Sequence, residues 1–245
     1  MLSRRIAGLY PRLNPPAIST RDMPPVNAVL ISHPHLDHMD IPTLDRLDKS
    51  AAVVVPRGTG NMAETLGYKE TVAMRTWEEF SPANGIKVTA TPAVHIGVRG
   101  WGLRAAARGA VGYVVEMSGL KIYFAGDTAY GPHFGEIREK LKPDIALLPI
   151  GAYRPWFFMK NFHMDPASAL KAFEDLGAKW CLPYHWGTFV LSLEPVNEPL
   201  RLFRREAMRR DVWEKIVVLE RGQTADFASQ GFHYVLRKCL WSAAL

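Results

Sequence analysis

The chain is poor in cysteine and has no long apolar run. Cys181 and Cys239 are its only cysteines in 245 residues, so stability does not come from a disulfide framework and a reducing compartment is the expected setting. No uncharged apolar stretch approaches the ~18 residues that span a bilayer, and the apolar part of the opening eleven residues is too short for a secretory signal core. Internal repeats, low-complexity tracts and linkers are absent, as is any aromatic and basic module of the kind that reads nucleic acid. These absences predict a cytoplasmic protein, at most peripheral to a membrane.

What is present is ordinary for a folded domain: 48% hydrophobic and 22% charged residues, close to globular averages. The net charge of +6 is the one bias. Arg4, Arg5, Arg12 and Arg21 precede the first acid, and Arg201, Arg204, Arg205, Arg209 and Arg210 cluster later. Such surfaces suit anionic ligands or membranes, although Glu198, Glu206, Asp211 and Glu214 interleave with the later arginines, as on a solvated helix face. One layered α/β domain over 1–245 is expected, with a Pro- and Arg-rich arm over 1–25 that prolines keep irregular. Strands are predicted at 26–31, 51–55, 71–74, 86–91, 111–117, 121–125, 144–150, 180–183 and 216–219, with a loop over 97–112. Helices are predicted at 41–48, at 60–66, from the Asp165 cap to 175, and at 198–210.

His33-Pro34-His35-Leu36-Asp37-His38 packs four potential metal donors directly behind the first of these strands. His95, Asp127 and His185 also fall just past strand ends, and strand ends in one sheet region converge. Imidazoles and carboxylates without a thiolate suit Zn²⁺ or a similar first-row ion. Seven donors are too many for one tetrahedral ion and suit two, about 3.5 to 4 Å apart and sharing a carboxylate.

This H-x-H-x-D-H pattern, followed by an isolated His, a Gly-Asp-Thr after a strand and a late His, resembles the metallo-β-lactamase superfamily of binuclear hydrolases. Within it, His163-Met164-Asp165-Pro166, His185-Trp186-Gly187-Thr188-Phe189 and the segment from Ile150 to Met159 are similar to the N-acylphosphatidylethanolamine phospholipase D branch. The resemblance implies a four-layer αββα sandwich. It implies that His33, His35 and His95 hold one zinc ion, that Asp37, His38 and His185 hold the second, and that Asp127 bridges them. A hydroxide shared by the metals would then attack a phosphodiester of an N-acyl or related phospholipid, with Asp37 and His163 counted as catalytic. Trp156, Phe157, Phe158 and Met159, together with Arg99 and Trp101, are the expected substrate contacts, the aromatic run as a lipid-facing wall. Cys181 reads as a buried strand residue, and His133 and His233 as structural or surface residues.

Relatives in that superfamily begin with a hairpin, and the resemblance implies that this sequence starts after it. The resemblance therefore implies an exposed sheet edge that invites pairing with another chain, a homo-oligomer included. A lactonase or other ester hydrolase with the same metals, and a non-catalytic remnant that binds metal or lipid, are the alternative readings.

Overall fold

The structure is a computed structural model that describes residues 3–6, 8–99 and 106–227. It opens with a short antiparallel ladder of β1 (Arg5–Ile6) and β2 (Tyr10–Pro11). There follow β3 (Ala28–Leu30), α1 (Ile41–Leu44), β4 (Ala52–Pro56), α2 (Gly60–Glu64) and β5 (Glu70–Met74). The last three strands pair in parallel in the order β3-β4-β5. Next come β6 (Glu79–Ala83), β7 (Ile86–Pro92), a separate ribbon of β8 (Gly97–Arg99) with β9 (Ala106–Arg108), and a hairpin of β10 (Val111–Met117) with β11 (Leu120–Phe124). Helix α3 (His133–Leu141), β12 (Ile145–Pro149), α4 (Trp156–Met159), α5 (Pro166–Leu176), β13 (Trp180–Tyr184) and α6 (Glu198–Arg209) complete the series. The second sheet runs β13-β12-β11-β10-β7-β6, antiparallel from β6 to β11 and parallel from β11 to β13.

Side-chain alternation explains the layering. β4 is buried along its whole length. Its Val53 and Val55 pack with Leu44 of α1 and Ala63 of α2, while Val54 between them meets Val88, Ala90, Val111 and Tyr113 of the second sheet. The far face of that sheet, with Tyr123, Ala146 and Leu148, is covered by Phe134, Ile137, Leu170, Phe173 and Phe203 from α3, α5 and α6. Helices, sheet, sheet and helices form the four-layer αββα sandwich expected from the sequence, each interlayer filled by its own apolar cluster.

Local chemistry fixes the elements that are most sharply bounded. Asp165 caps α5 by accepting from the Ser168 N–H at 2.8 Å, Pro166 occupies its first turn, and Gly177 closes it in the left-handed region at φ 63°. Ser118 and Gly119, both at positive φ, make the tight turn between β10 and β11.

Elsewhere the structure departs from expectation. The loop expected over 97–112 contains the β8–β9 ribbon, whose three-residue strands are too short to show a period. The strand expected at 216–219 reduces to a single bridge between Ile216 and Cys181. The helix expected over 41–48 is confined to Ile41–Leu44, and the arm carries the β1–β2 ladder despite its prolines. α3 was not expected, although Phe134, Ile137 and Leu141 sit at helical spacing. Among the described residues no helix is long and apolar enough to cross a membrane. Trp101 and His233 lie outside the described residues.

Candidate metal centre

The histidine loop leaves β3 where the two sheets meet. The Ile31 N–H still donates to Val54 at 2.9 Å, and the chain then turns so that both the His38 and Met39 amides donate to the His35 carbonyl. Arg99 fastens this turn from outside, its Nη1 donating to the carbonyls of Pro34 at 2.9 Å and Met39 at 2.7 Å. The guanidinium expected to meet substrate is thus engaged with backbone of the loop itself. Ser32 Oγ stands 3.0 Å from His33 Nδ1 and 3.5 Å from His38 Nδ1, which turns the Nε2 atoms of both rings inward.

The other donors arrive from strand ends of the second sheet. After β11 the chain passes Gly126 at φ 62°, where a Cβ would lie 2.5 Å from the Ser32 Cβ. Only glycine allows the approach that sets Asp127 against the histidine loop. Thr128 Oγ1 accepts from the Val94 N–H at 2.9 Å and the Ala129 N–H donates to the Val94 carbonyl, so the segments bearing His95 and Asp127 are tied together. His95 Nδ1 donates to the Phe162 carbonyl at 2.9 Å, leaving Nε2 free to face the cluster. His185, at φ 63°, sits in a conformation unusual for a non-glycine residue. Gly151 makes room for it, since a Cβ there would meet the His185 carbonyl oxygen at 2.1 Å.

The seven residues singled out in the sequence converge as two sets: His33, His35, His95 and Asp127, and Asp37, His38, Asp127 and His185. Within each set the donor atoms all lie within 4.8 Å of one another, and Asp127 belongs to both. In the first, His35 Nδ1 stands 2.9 Å from His33 Nε2 and 3.3 Å from His95 Nε2, and His33 Nε2 is 3.7 Å from Asp127 Oδ2. In the second, His38 Nε2 is 3.3 Å from Asp37 Oδ2 and 3.1 Å from Asp127 Oδ2. His185 Nε2 is 3.4 Å from Asp37 Oδ2 and 3.4 Å from Asp127 Oδ1. Donors about 2.0–2.1 Å from one tetrahedral cation stand about 3.3 Å apart, so these spacings fit a first-row ion in each set.

Electrostatics point the same way. Burial alone would raise the Asp127 and Asp37 carboxyls, but the facing histidines outweigh it and hold both well below the usual range. Burial pulls His38 down, yet Asp127 and Asp37 hold it up at about 10. His33, His35 and His95 are lowered, chiefly by burial, and are therefore neutral with lone pairs to offer. Among the described residues, Asp127 Oδ1 and His38 Nε2 are buried without a hydrogen-bond partner. An unsatisfied buried polar atom costs about 1–3 kcal/mol, more when charged, and a cation between the two would remove that cost.

His163 lies beside this cluster, its Nδ1 4.0 Å from Asp127 Oδ2 and its ring 5.0 Å from that of His95. Burial lowers it to about 4, so at neutral pH it is an uncharged ring able to donate one hydrogen bond and accept another. Four to seven residues upstream, α4 leaves Trp156 55%, Phe157 74% and Phe158 55% exposed, with Met159 half-buried. His133 is buried and its Nε2 approaches Thr128 Oγ1 at 3.3 Å, outside both donor sets. Ser32, Thr128 and the Phe162 carbonyl were missed in the sequence, because no spacing rule marks a hydroxyl or carbonyl that orients a ring.

Comparison with known proteins agrees with this geometry. A metallo hydrolase from Ignicoccus hospitalis has the same fold, with a TM-score of 0.61 at 23% identity over 80% of this chain and 77% of its own. A Caenorhabditis elegans N-acyl-phosphatidylethanolamine-hydrolyzing phospholipase D is 33% identical over 202 residues, 74% of this chain and 54% of that protein. An uncharacterized Mycobacterium tuberculosis protein is 33% identical over 77% of this chain and 52% of its own, so this chain spans about half the length of such relatives. A metal-dependent hydrolase of Methanospirillum hungatei is 30% identical over 79% of this chain and 80% of that protein. Residues 3–186 match the family described as the beta-lactamase superfamily domain, and with two His/Asp donor sets at its strand ends the chain belongs to the metallo-β-lactamase superfamily of metal-dependent hydrolases.

Proposed function

We propose that the protein is a two-zinc phosphodiesterase, phospholipase D-like, acting on N-acyl or related phospholipids. The observation that carries this reading is the pair of donor sets hinged on Asp127. The names of the Caenorhabditis elegans relative and of a Saccharomyces cerevisiae relative, each 33% identical, suggest the substrate class. His33, His35 and His95 would hold one ion, Asp37, His38 and His185 the other, and Asp127 both. When bound, such a pair supplies Lewis acidity that makes water nucleophilic near neutral pH and offsets charge on a phosphate.

The chain's own groups do the rest. Ser32 and the Phe162 carbonyl orient imidazoles, and Arg99 stops the histidine loop from opening. His163, neutral and beside Asp127, donates a hydrogen bond to a phosphate oxygen in this reading. The exposed aromatics of α4, close to His163 in the chain, would meet the apolar part of a lipid.

The reading is tested by hydrolysis with zinc-loaded protein, using an aryl phosphodiester, an N-acylphosphatidylethanolamine in mixed micelles, and a lactone. Cleavage of both phosphodiesters, lost in His185→Ala, is the expected result. Turnover of the lactone alone would move the assignment to an ester hydrolase, and no turnover of any of the three would overturn it.

A further inference from the structure

Beside the donor sets lies a chamber of about 540 Å³ that no step above uses. Its volume falls within the ~300–1,000 Å³ typical of small-molecule sites. One end is polar and is made by Asp37, His38 and His185, whereas none of His33, His35 and His95 lines it. The remainder is largely apolar, with Ile18 and Met23 from the N-terminal arm, Leu30 at the end of β3, Phe124 at the end of β11, and Phe189 and Leu191 beyond β13. Arg12 also lines it, but its guanidinium lies over the Phe189 ring at 4.8 Å and donates to the carbonyls of Ser3 and Asn14.

The arm is fastened over this space. The Leu13 amide donates to the Thr188 carbonyl at 2.8 Å, and Asn14 Nδ2 donates to the Gly187 carbonyl at 2.9 Å, just beyond His185. The arm thus forms a wall of the chamber and is tied to the same loop that carries a donor.

We infer that this chamber receives an alkyl or acyl chain of the substrate, with the scissile group at the Asp37, His38 and His185 end. An apolar space continuous with a polar, reactive end has the shape of an amphiphile, and water alone would leave the apolar wall unsatisfied. The assignment rests on the proposed hydrolase reading for where the head group lies, and extends it from the exposed α4 to an internal site on the other donor set. Each methylene that enters such a space contributes about 0.8 kcal/mol, or roughly a fourfold gain in affinity.

Calorimetric titration of the zinc-loaded protein with n-alkanols of increasing length tests this. The probes are uncharged, which avoids repulsion from Asp37. Affinity is expected to rise about fourfold per methylene and then level off when the chamber is full. Ile18→Trp, at a residue 44% exposed and outside the core, and the double variant Ile18→Trp/Leu191→Trp should level off several carbons earlier. Affinity that ignores chain length, or a chain-length dependence unchanged in both variants, overturns the inference. A chamber that binds alkanols as expected in a protein without phosphodiesterase activity leaves the chamber standing and removes the hydrolase reading. Activity with a flat alkanol response does the reverse.

Discussion

Three residues give the site its most exposed dependencies. His163 donates to phosphate in the proposed reaction, and a hydrogen bond to a charged group contributes about 1.5–3 kcal/mol. His163→Gln is therefore expected to lower kcat/KM by roughly 10- to 150-fold with zinc content unchanged, and equal activity of the two proteins would remove His163 from the chemistry. Gly126 allows the contact with Ser32, and Gly126→Ala meets both a positive φ and a Cβ 2.5 Å from Ser32. Its expected cost is about 1–3 kcal/mol in urea unfolding together with weaker zinc binding. His133 is held at about 4 by burial, against an ordinary value of 6.5. Between those values the unfolded chain binds the extra proton, so the stability is complete above about pH 6.5 and is lost as pH falls towards 4, on the order of 3 kcal/mol. His133→Phe should make that loss smaller in denaturant melts run across the range, and an unchanged profile would show that His133 does not titrate this way. The seven candidate donors that the structure brings together stood out in the sequence because each His or Asp falls in a loop that follows a strand, where local pattern and chemistry coincide. The role of Arg99 was not, because its partners are carbonyls 60 and 65 residues away that no side-chain pattern reveals.

At the scale of elements, α4 is the short helix whose apolar side chains stay in solvent, with Phe157 74% exposed. Exposed aromatics of this size contribute little to the fold, so Phe157→Ser/Phe158→Ser is expected to shift urea unfolding by no more than about 0.5 kcal/mol. Co-sedimentation with phospholipid vesicles should fall several-fold if α4 faces lipid, and unchanged sedimentation would return it to an ordinary surface turn. Elements with a boundary chemistry of their own were readable: α5 through Asp165, Pro166 and Gly177, and the β10–β11 hairpin through Ser118 and Gly119. The β8–β9 ribbon and the β1–β2 ladder were not, because two or three residues of pairing depend on tertiary contacts rather than on any period. α3 is the instructive miss. Its Phe134, Ile137 and Leu141 give a helical stripe, but His133, Gly135 and the charges between them dilute it.

For the whole molecule, the order of strands and helices was enough to anticipate one layered α/β domain, the resemblance of its motifs implied the four layers, and burial along the whole of β4 shows a packed partner on each face. What the order could not give is which strand ends come together, and these decide the site: β3 from one sheet, and β7, β11 and β13 from the other, deliver donors to a single place. Asp127 and Asp37 there hold His38 protonated up to about 10 against the opposing pull of burial, so loading a metal must displace that proton. In the metal-free protein the raised His38 value contributes stability that is complete below about 6.5 and lost as pH rises through about 10. Zinc uptake should accordingly release protons and weaken from pH 8 to pH 6. The most direct measurement is calorimetric titration of chelator-stripped protein with zinc at pH 7.5, on the native chain, His185→Ala and Asp127→Ala. Two donor sets sharing Asp127 require about two equivalents, about one, and little or none, respectively. Native protein that takes up no zinc, or uptake that His185→Ala and Asp127→Ala leave untouched, would contradict them.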